Sequence, residues 1–225
     1  MKFYLSIWKK EWIKTRTALL ILLPCLVLYT LYILYPFMQP ISAGVLNKMW
    51  EVMIERNIVF VEGLKYIPVS FGILLALAQM IPETLQKRLK LTLHLPYSDQ
   101  CITNALLSYG WVLTLMVALF IEGVTFMVTA PYLPYELVRR ILLTALPWCM
   151  AGVVGYSLIC WVVLESTLLR RILFGILSVG FVHLYFLASF PESETPGMLL
   201  LLFLLVVYSA MLPHYSITRY RLGQN

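Results

Sequence analysis

Six stretches of the chain are apolar on all sides for long enough, or nearly so, to cross about 30 Å of hydrocarbon as helices. They are Ala18 to Met38, Leu64 to Ile81, Ile102 to Ala130, Ile141 to Leu164, Ile172 to Phe190 and Pro196 to Leu212, the last being the shortest. Strands of a membrane barrel would alternate polar and apolar positions in segments of about ten residues, and these runs do not. The pattern predicts an all-α integral membrane protein forming a single transmembrane domain of six spans over residues 1–225. Ala18 to Met38 is longer than a signal-peptide core of about 7–15 residues, and no small-residue cleavage site follows "YPFMQP". It is therefore expected to be a retained first span.

The polar intervals refine this plan. Over residues 1–17, Tyr4, Trp8, Trp12 and Thr15 fall on one helical stripe and Lys2, Lys9 and Arg16 on the opposite one. This predicts an interfacial amphipathic helix with rings toward lipid and cations toward water. Between the first two spans, "QPISAGVLNKMWEVMIERNIVFVEG" has balanced charge and enough Met, Trp, Ile and Val for a short amphipathic helix, but it is too polar to cross. Met38, Met49 and Met53 read as gap-filling residues rather than as a metal site. The third run is long, so it must tilt or project from the bilayer. In "APYLPYELVRR", Pro131 and Pro134 predict a short turn, and Tyr132 and Tyr135 suit an interface. "ESTLLRR" and "PESETP" are links too short to fold by themselves.

The most specific interval is "PETLQKRLKLTLHLP". Pro82 and Glu83 suit a helix start and Pro96 its end. Leu85, Leu89 and Leu93 recur at i, i+4 and i+8 as an apolar ridge, with Lys87, Arg88 and Lys90 on other faces. A short helix over residues 83–96 with its own ridge can lie on lipid or seat in a groove of another protein.

Composition supports the membrane class. The chain is 61% hydrophobic and 12% charged, with a mean hydropathy of +0.84, against about half apolar and roughly a quarter charged in soluble domains. With a cytoplasmic N-terminus, Lys2, Lys9, Lys10, Lys14, Arg16, Lys87, Arg88, Lys90, Arg170, Arg171, Arg219 and Arg221 lie inside, twelve of the 17 basic residues. Lys48, Arg56, Lys65, Arg139 and Arg140 lie outside, the last two opposing the bias locally. The imbalance predicts both termini in the cytoplasm. Because the cations are divided among short loops, the net charge of +6 reads as topology and contact with anionic membrane lipids, not as a nucleic-acid surface.

This layout resembles the membrane subunits of the ABC type-2 permease family in compact six-span form. The residues that carry the likeness are the amphipathic N-terminus, the six spans, and Glu83 followed by basic and leucine-rich sequence ending in "LP" between spans two and three. The resemblance implies a permease of a bacterial cytoplasmic (inner) membrane, working as a homodimer or heterodimer. In that family the segment corresponding to residues 83–96 is a coupling helix that docks on a separate ABC ATPase subunit. By the same analogy Glu83, Gln86, Lys87, Arg88, Lys90 and His94 would face the ATPase or the headgroups, while Leu85, Leu89 and Leu93 would seat the helix. Many members carry re-entrant helices between spans five and six, where this chain has only "PESETP"; that fits compact members better than large lipid or polysaccharide exporters.

The chemistry written in the chain is sparse. It has no G-x-x-x-x-G-K-[ST] loop, so ATP and Mg are expected only in a partner, and no cofactor, catalytic residue or metal site is expected here. H-E-x-x-H and G-x-S-x-G motifs are also missing, which argues against an enzyme. Glu122 is the charged residue deepest in a span, a candidate for a translocation path or gate, with His183 as a possible partner; interfacial access or a bond to a neighbouring helix is the alternative. Tyr29, Tyr32 and Tyr35 form a stripe on the first span suited to packing or to a dimer cleft, and Tyr29 and Tyr32 are further candidates for the translocation path or gate. Ala151, Gly152 and Gly155 permit close helix approach. Cys25, Cys101, Cys149 and Cys160 lack C-x-x-C spacing and read as small buried residues. Two other functions fit the same sequence: a membrane scaffold or assembly subunit without transport, and an integral-membrane enzyme acting on lipid through Glu122 and His183.

Overall fold

The structure, a computed structural model, describes residues 2–38, 61–85, 98–187 and 196–221. Among these residues all regular secondary structure is helical: α1 (Lys2–Met38), a 3-10 turn (Glu62–Leu64), α2 (Ile67–Leu85), α3 (Asp99–Thr129), α4 (Tyr135–Leu164), α5 (Leu168–Leu184) and α6 (Pro196–Arg221). Five of them are long and apolar enough to cross a membrane, over Phe3–Phe37, Glu62–Leu85, Gln100–Thr129, Tyr135–Leu164 and Gly197–Arg219. The chain thus has the character of a helical membrane protein. The expected span from Ile172 to Phe190 is the exception. In its place α5 has 17 residues, about 26 Å at 1.5 Å per residue, just short of the roughly 30 Å of hydrocarbon.

The expected break between a surface helix over 1–17 and the first span is not there. Lys2–Met38 is one helix of 37 residues, because one buried face runs its whole length. Ile7, Glu11, Thr15, Leu19, Leu26, Thr30, Leu34 and Phe37 recur at helical spacing, and all are buried. The aromatic stripe divides accordingly. The Trp8 indole donates to Ser108 of α3 and Thr15 bonds Tyr109, whereas Trp12 is exposed. At the other boundary, Pro82 lies inside α2 instead of opening a new helix, and α2 continues to Leu85. The Thr84 hydroxyl lies within hydrogen-bonding distance of the Met80 and Ile81 carbonyls in this last turn.

Contacts between helices set their directions. Lys14 of α1 reaches Glu83 near the end of α2, Trp8 meets Ser108 near the start of α3, and Trp111 of α3 donates to Ser157 late in α4. Ser216 late in α6 donates to Glu165, which follows α4. The starts of α1 and α3 and the ends of α2, α4 and α6 therefore share one end of the bundle, here the base. At the opposite end Thr129 caps the turn expected at Pro131 and Pro134, accepting from the Tyr132 and Leu133 amides.

The centre is α4, packed on α2, α3, α5 and α6. Together α2 and α4 are the most enclosed of the five long helices. Glycine brings them together: a Cβ on Gly72 would overlap the Gly152 carbonyl, a Cβ on Gly152 would lie 2.8 Å from the Pro68 oxygen, and one on Gly155 would lie 3.0 Å from Val69. The expectation of close approach at Gly152 and Gly155 is met on the α2 side, while Ala151 is buried in a second cluster with Leu158, Trp161, Tyr185 and Leu202. There Trp161 stacks on Phe174 at 4.0 Å and the Tyr185 hydroxyl donates to the Leu202 carbonyl at 2.8 Å.

A polar relay ties three helices inside this core. Gln79 Nε2 donates to the Leu106 carbonyl at 2.9 Å, and the Tyr156 hydroxyl donates to Gln79 Oε1 at 2.7 Å. Both side chains are fully buried, and Gly110 leaves the room that the Tyr156 ring fills. Tyr156→Phe strands the Gln79 oxygen away from water, so a loss of about 1–3 kcal/mol is expected. Detergent unfolding followed by circular dichroism measures it.

Candidate functional site

The densest charged chemistry in the described residues lies at the base, on α1 and α2. Trp8, Glu11 and Thr15 are three and four residues apart, so one helical face presents all three to α2 and α3. Across from them, Glu83 projects from the last turn of α2. Lys14 Nζ pairs with both Glu11 and Glu83, the latter at 3.0 Å, and Lys10 Nζ lies 3.0 Å from Glu83 and 3.9 Å from Glu11. Both carboxylates are fully buried, the Lys14 side chain is 8% exposed and that of Lys10 is 37% exposed. Two anions and two cations cancel, and Lys10 connects the group to the outside. Buried charges of this kind cost several kcal/mol each in lost hydration unless their partners are well placed. Glu83 Oε1 has both lysines at 3.0 Å, whereas both Glu11 oxygens and Glu83 Oε2 are buried without a hydrogen-bond partner, so Glu11 is held by its ion pairs.

The cluster continues upward through hydrogen bonds. Thr15 Oγ1 donates to the Glu11 carbonyl at 2.9 Å and lies 2.7 Å from the Tyr109 hydroxyl. The Trp8 indole packs edge-on to the Tyr109 ring, their centroids 6.3 Å apart. The first turns of α1, the end of α2 and the start of α3 are thereby locked by polar contacts. A second group stands at the same end: Glu165 accepts from Thr167 and Ser216, both at 3.2 Å, with Arg219 at 3.8 Å, and Arg171 donates to the Glu165 carbonyl at 2.7 Å. It closes the α4–α5 link onto α6.

The structure redistributes the residues singled out in the sequence. Glu83, expected to face an ATPase or headgroups, is instead turned inward onto Lys10 and Lys14, since α2 carries it on into the bundle beyond Pro82. Leu85 is exposed. Gln86, Lys87, Arg88, Leu89, Lys90, Leu93 and His94 lie outside the described residues, as do the predicted helix after Met38 and both Met49 and Met53. Glu122 sits on α3 next to Cys149 of α4, with Oε1 buried and without a hydrogen-bond partner. His183 is exposed near the end of α5, and no hydrogen bond or ion pair joins it to Glu122. Tyr29, Tyr32 and Tyr35 are exposed on the outer side of α1, the Tyr29 and Tyr32 rings 6.4 Å apart. Cys149 and Cys160 are buried as expected of small residues, but Cys25 is exposed and Cys101 half-buried.

Tyr29 and Cys25 border a cleft of about 410 Å³ between α1 and α2, whose other walls include Leu22, Leu26, Ser70 and Leu74. No group of three or more His, Cys, Asp or Glu suited to a metal occurs among the described residues. Lys10, Glu11 and Lys14 were not anticipated as a unit. A signal was present: Glu11 is the one acid in the first fifty residues, and it falls on the same stripe as Ile7, Thr15 and Leu19 instead of the cationic one. No family model, no curated protein and no solved structure matches this chain.

Proposed function

We propose that the chain is the membrane-spanning permease subunit of an ABC transporter, coupling ATP hydrolysis by a separate ATPase to export or to conformational work across the membrane. In this reading all six helices cross a bacterial cytoplasmic membrane with both termini inside, two permease subunits associate, and the coupling segment grips the ATPase through its residues from Leu85 to Pro96, with Glu83 turned inward. ATP and Mg belong to that partner. The observation that carries the reading is the ion-pair cluster. α2 ends at Leu85, two residues after Glu83, and Glu83 is bound to Lys10 and Lys14, so a displacement of the end of α2 would reach α1 through charged contacts that break at a cost. By the family resemblance, Lys87, Arg88 and Lys90 would meet an acidic docking surface on the ATPase.

Reversing all three to glutamate is expected to abolish co-purification of a phosphate-loop ATPase from native membranes while leaving the purified chain folded. Intact co-purification after the reversal sinks the proposal. A scaffold subunit without transport is the second reading, favoured by the packed interior in which the fully buried Tyr156 and Gln79 bond α2, α3 and α4 together. Recovery of no ATPase from native membranes selects it. A lipid-modifying enzyme has less support, because Glu122 faces α4 and His183 lies on the exposed side of α5.

A further inference from the structure

The cleft between α1 and α2 lies away from the ion-paired base and takes no part in the coupling reading. Its walls are the side chains of Leu22, Leu26, Tyr29, Ile67, Phe71 and Leu74. Its lining is mostly apolar, with Tyr66 and Ser70 among the residues on the α2 side. The levels of Ile67 and Leu74 are about 11 Å apart along α2 at 1.5 Å per residue, most of the depth of one leaflet, which is half of about 30 Å. Its volume of about 410 Å³ falls within the roughly 300–1,000 Å³ of ligand sites.

What distinguishes this cleft from an ordinary lipid-facing furrow is a cation held against Tyr66, one of its lining residues. Lys65 lies two residues before α2, and its ammonium lies 5.7 Å from the centroid of Tyr66, a wall of the cleft, and 5.5 Å from that of Phe186. No carboxylate forms an ion pair with Lys65 among the described residues, whereas Lys10, Lys14 and Arg219 at the base are paired. A cation held over two rings at the polar end of a leaflet-deep apolar slot matches one ligand class: an amphiphile with a phosphate at its head and an extended hydrocarbon tail. We infer that the α1–α2 cleft is a binding site for a single phospholipid, its phosphate on Lys65, its ester region beside Tyr66 and Ser70, and one acyl chain between Leu22, Leu26 and Leu74.

The test uses the full chain in detergent, delipidated and then offered phosphatidylglycerol or a diacylglycerol with the same chains, with bound lipid counted by native mass spectrometry. One phosphatidylglycerol per chain is expected, retained over the diacylglycerol by about fivefold, the factor that one basic residue contributes at a membrane surface. Lys65→Gln is expected to erase that preference. Ser70→Phe and Cys25→Trp, which fill the cleft from opposite walls at exposed positions, are each expected to expel the lipid. Equal retention of the two lipids by the unaltered chain overturns the assignment, whatever the variants do. So does undiminished phosphatidylglycerol on either filled variant.

Discussion

Leucine in place of Gly72 is expected to cost the bundle at least the upper end of the roughly 1–3 kcal/mol typical of overpacked cores. The neighbour at that point is backbone: even a single added carbon would overlap the Gly152 carbonyl, and a peptide group of a central helix has nowhere to retreat. α2 and α4 would have to separate, losing contacts from Pro68 to Tyr156 along with the bond between Tyr156 and Gln79. Denaturation by sodium dodecyl sulfate, followed by helical signal, measures the effect. Leucine at Gly175 or Gly180 provides the control, since an added Cβ there meets nothing within 4 Å. A loss of similar size at all three positions would show that glycine matters for the helices themselves and not for the approach of α2 to α4.

The second large effect is expected at Glu83. Glu83→Leu removes the carboxylate shared by Lys10 and Lys14 and leaves two cations facing Glu11 alone, so a loss of about 3–5 kcal/mol is expected, the range for breaking a buried ion pair. The double variant Glu83→Leu with Lys14→Leu restores charge balance, leaving Lys10 with Glu11, and is expected to recover much of that loss. A double-mutant cycle by detergent unfolding reads the coupling. Additivity of the two substitutions would mean that the lysines are solvated independently of Glu83.

The spans were legible because hydrocarbon imposes a simple demand: about twenty consecutive apolar residues with their backbone bonds satisfied internally. The turn at Pro131 and Pro134 and the close approach at Gly152 and Gly155 were legible for similarly local reasons. The contiguity of α1 was not. A change of composition near Thr17 looks like a boundary, but whether a polar helix lies on lipid or enters a bundle depends on partners distant in sequence, here Ser108, Tyr109 and Glu83. The same limit hid the site. Glu83 reads as the start of the basic segment from its neighbours and as the end of α2 from Lys10 and Lys14. Gly72 and Gly110 are unremarkable until Gly152 and Tyr156 stand opposite them.

The enclosure of α2 and α4 bears on how the protein is made. They are the most buried of the long helices and also the least apolar of them, so each is the poorest candidate to partition into lipid unaided. The greasier α1 emerges from the ribosome before α2, and α3 before α4, giving each reluctant helix a companion already lodged in the bilayer. A chain truncated after α2 or after α4 would then keep its last helix at the insertion machinery longer than one ending after α1 or α3.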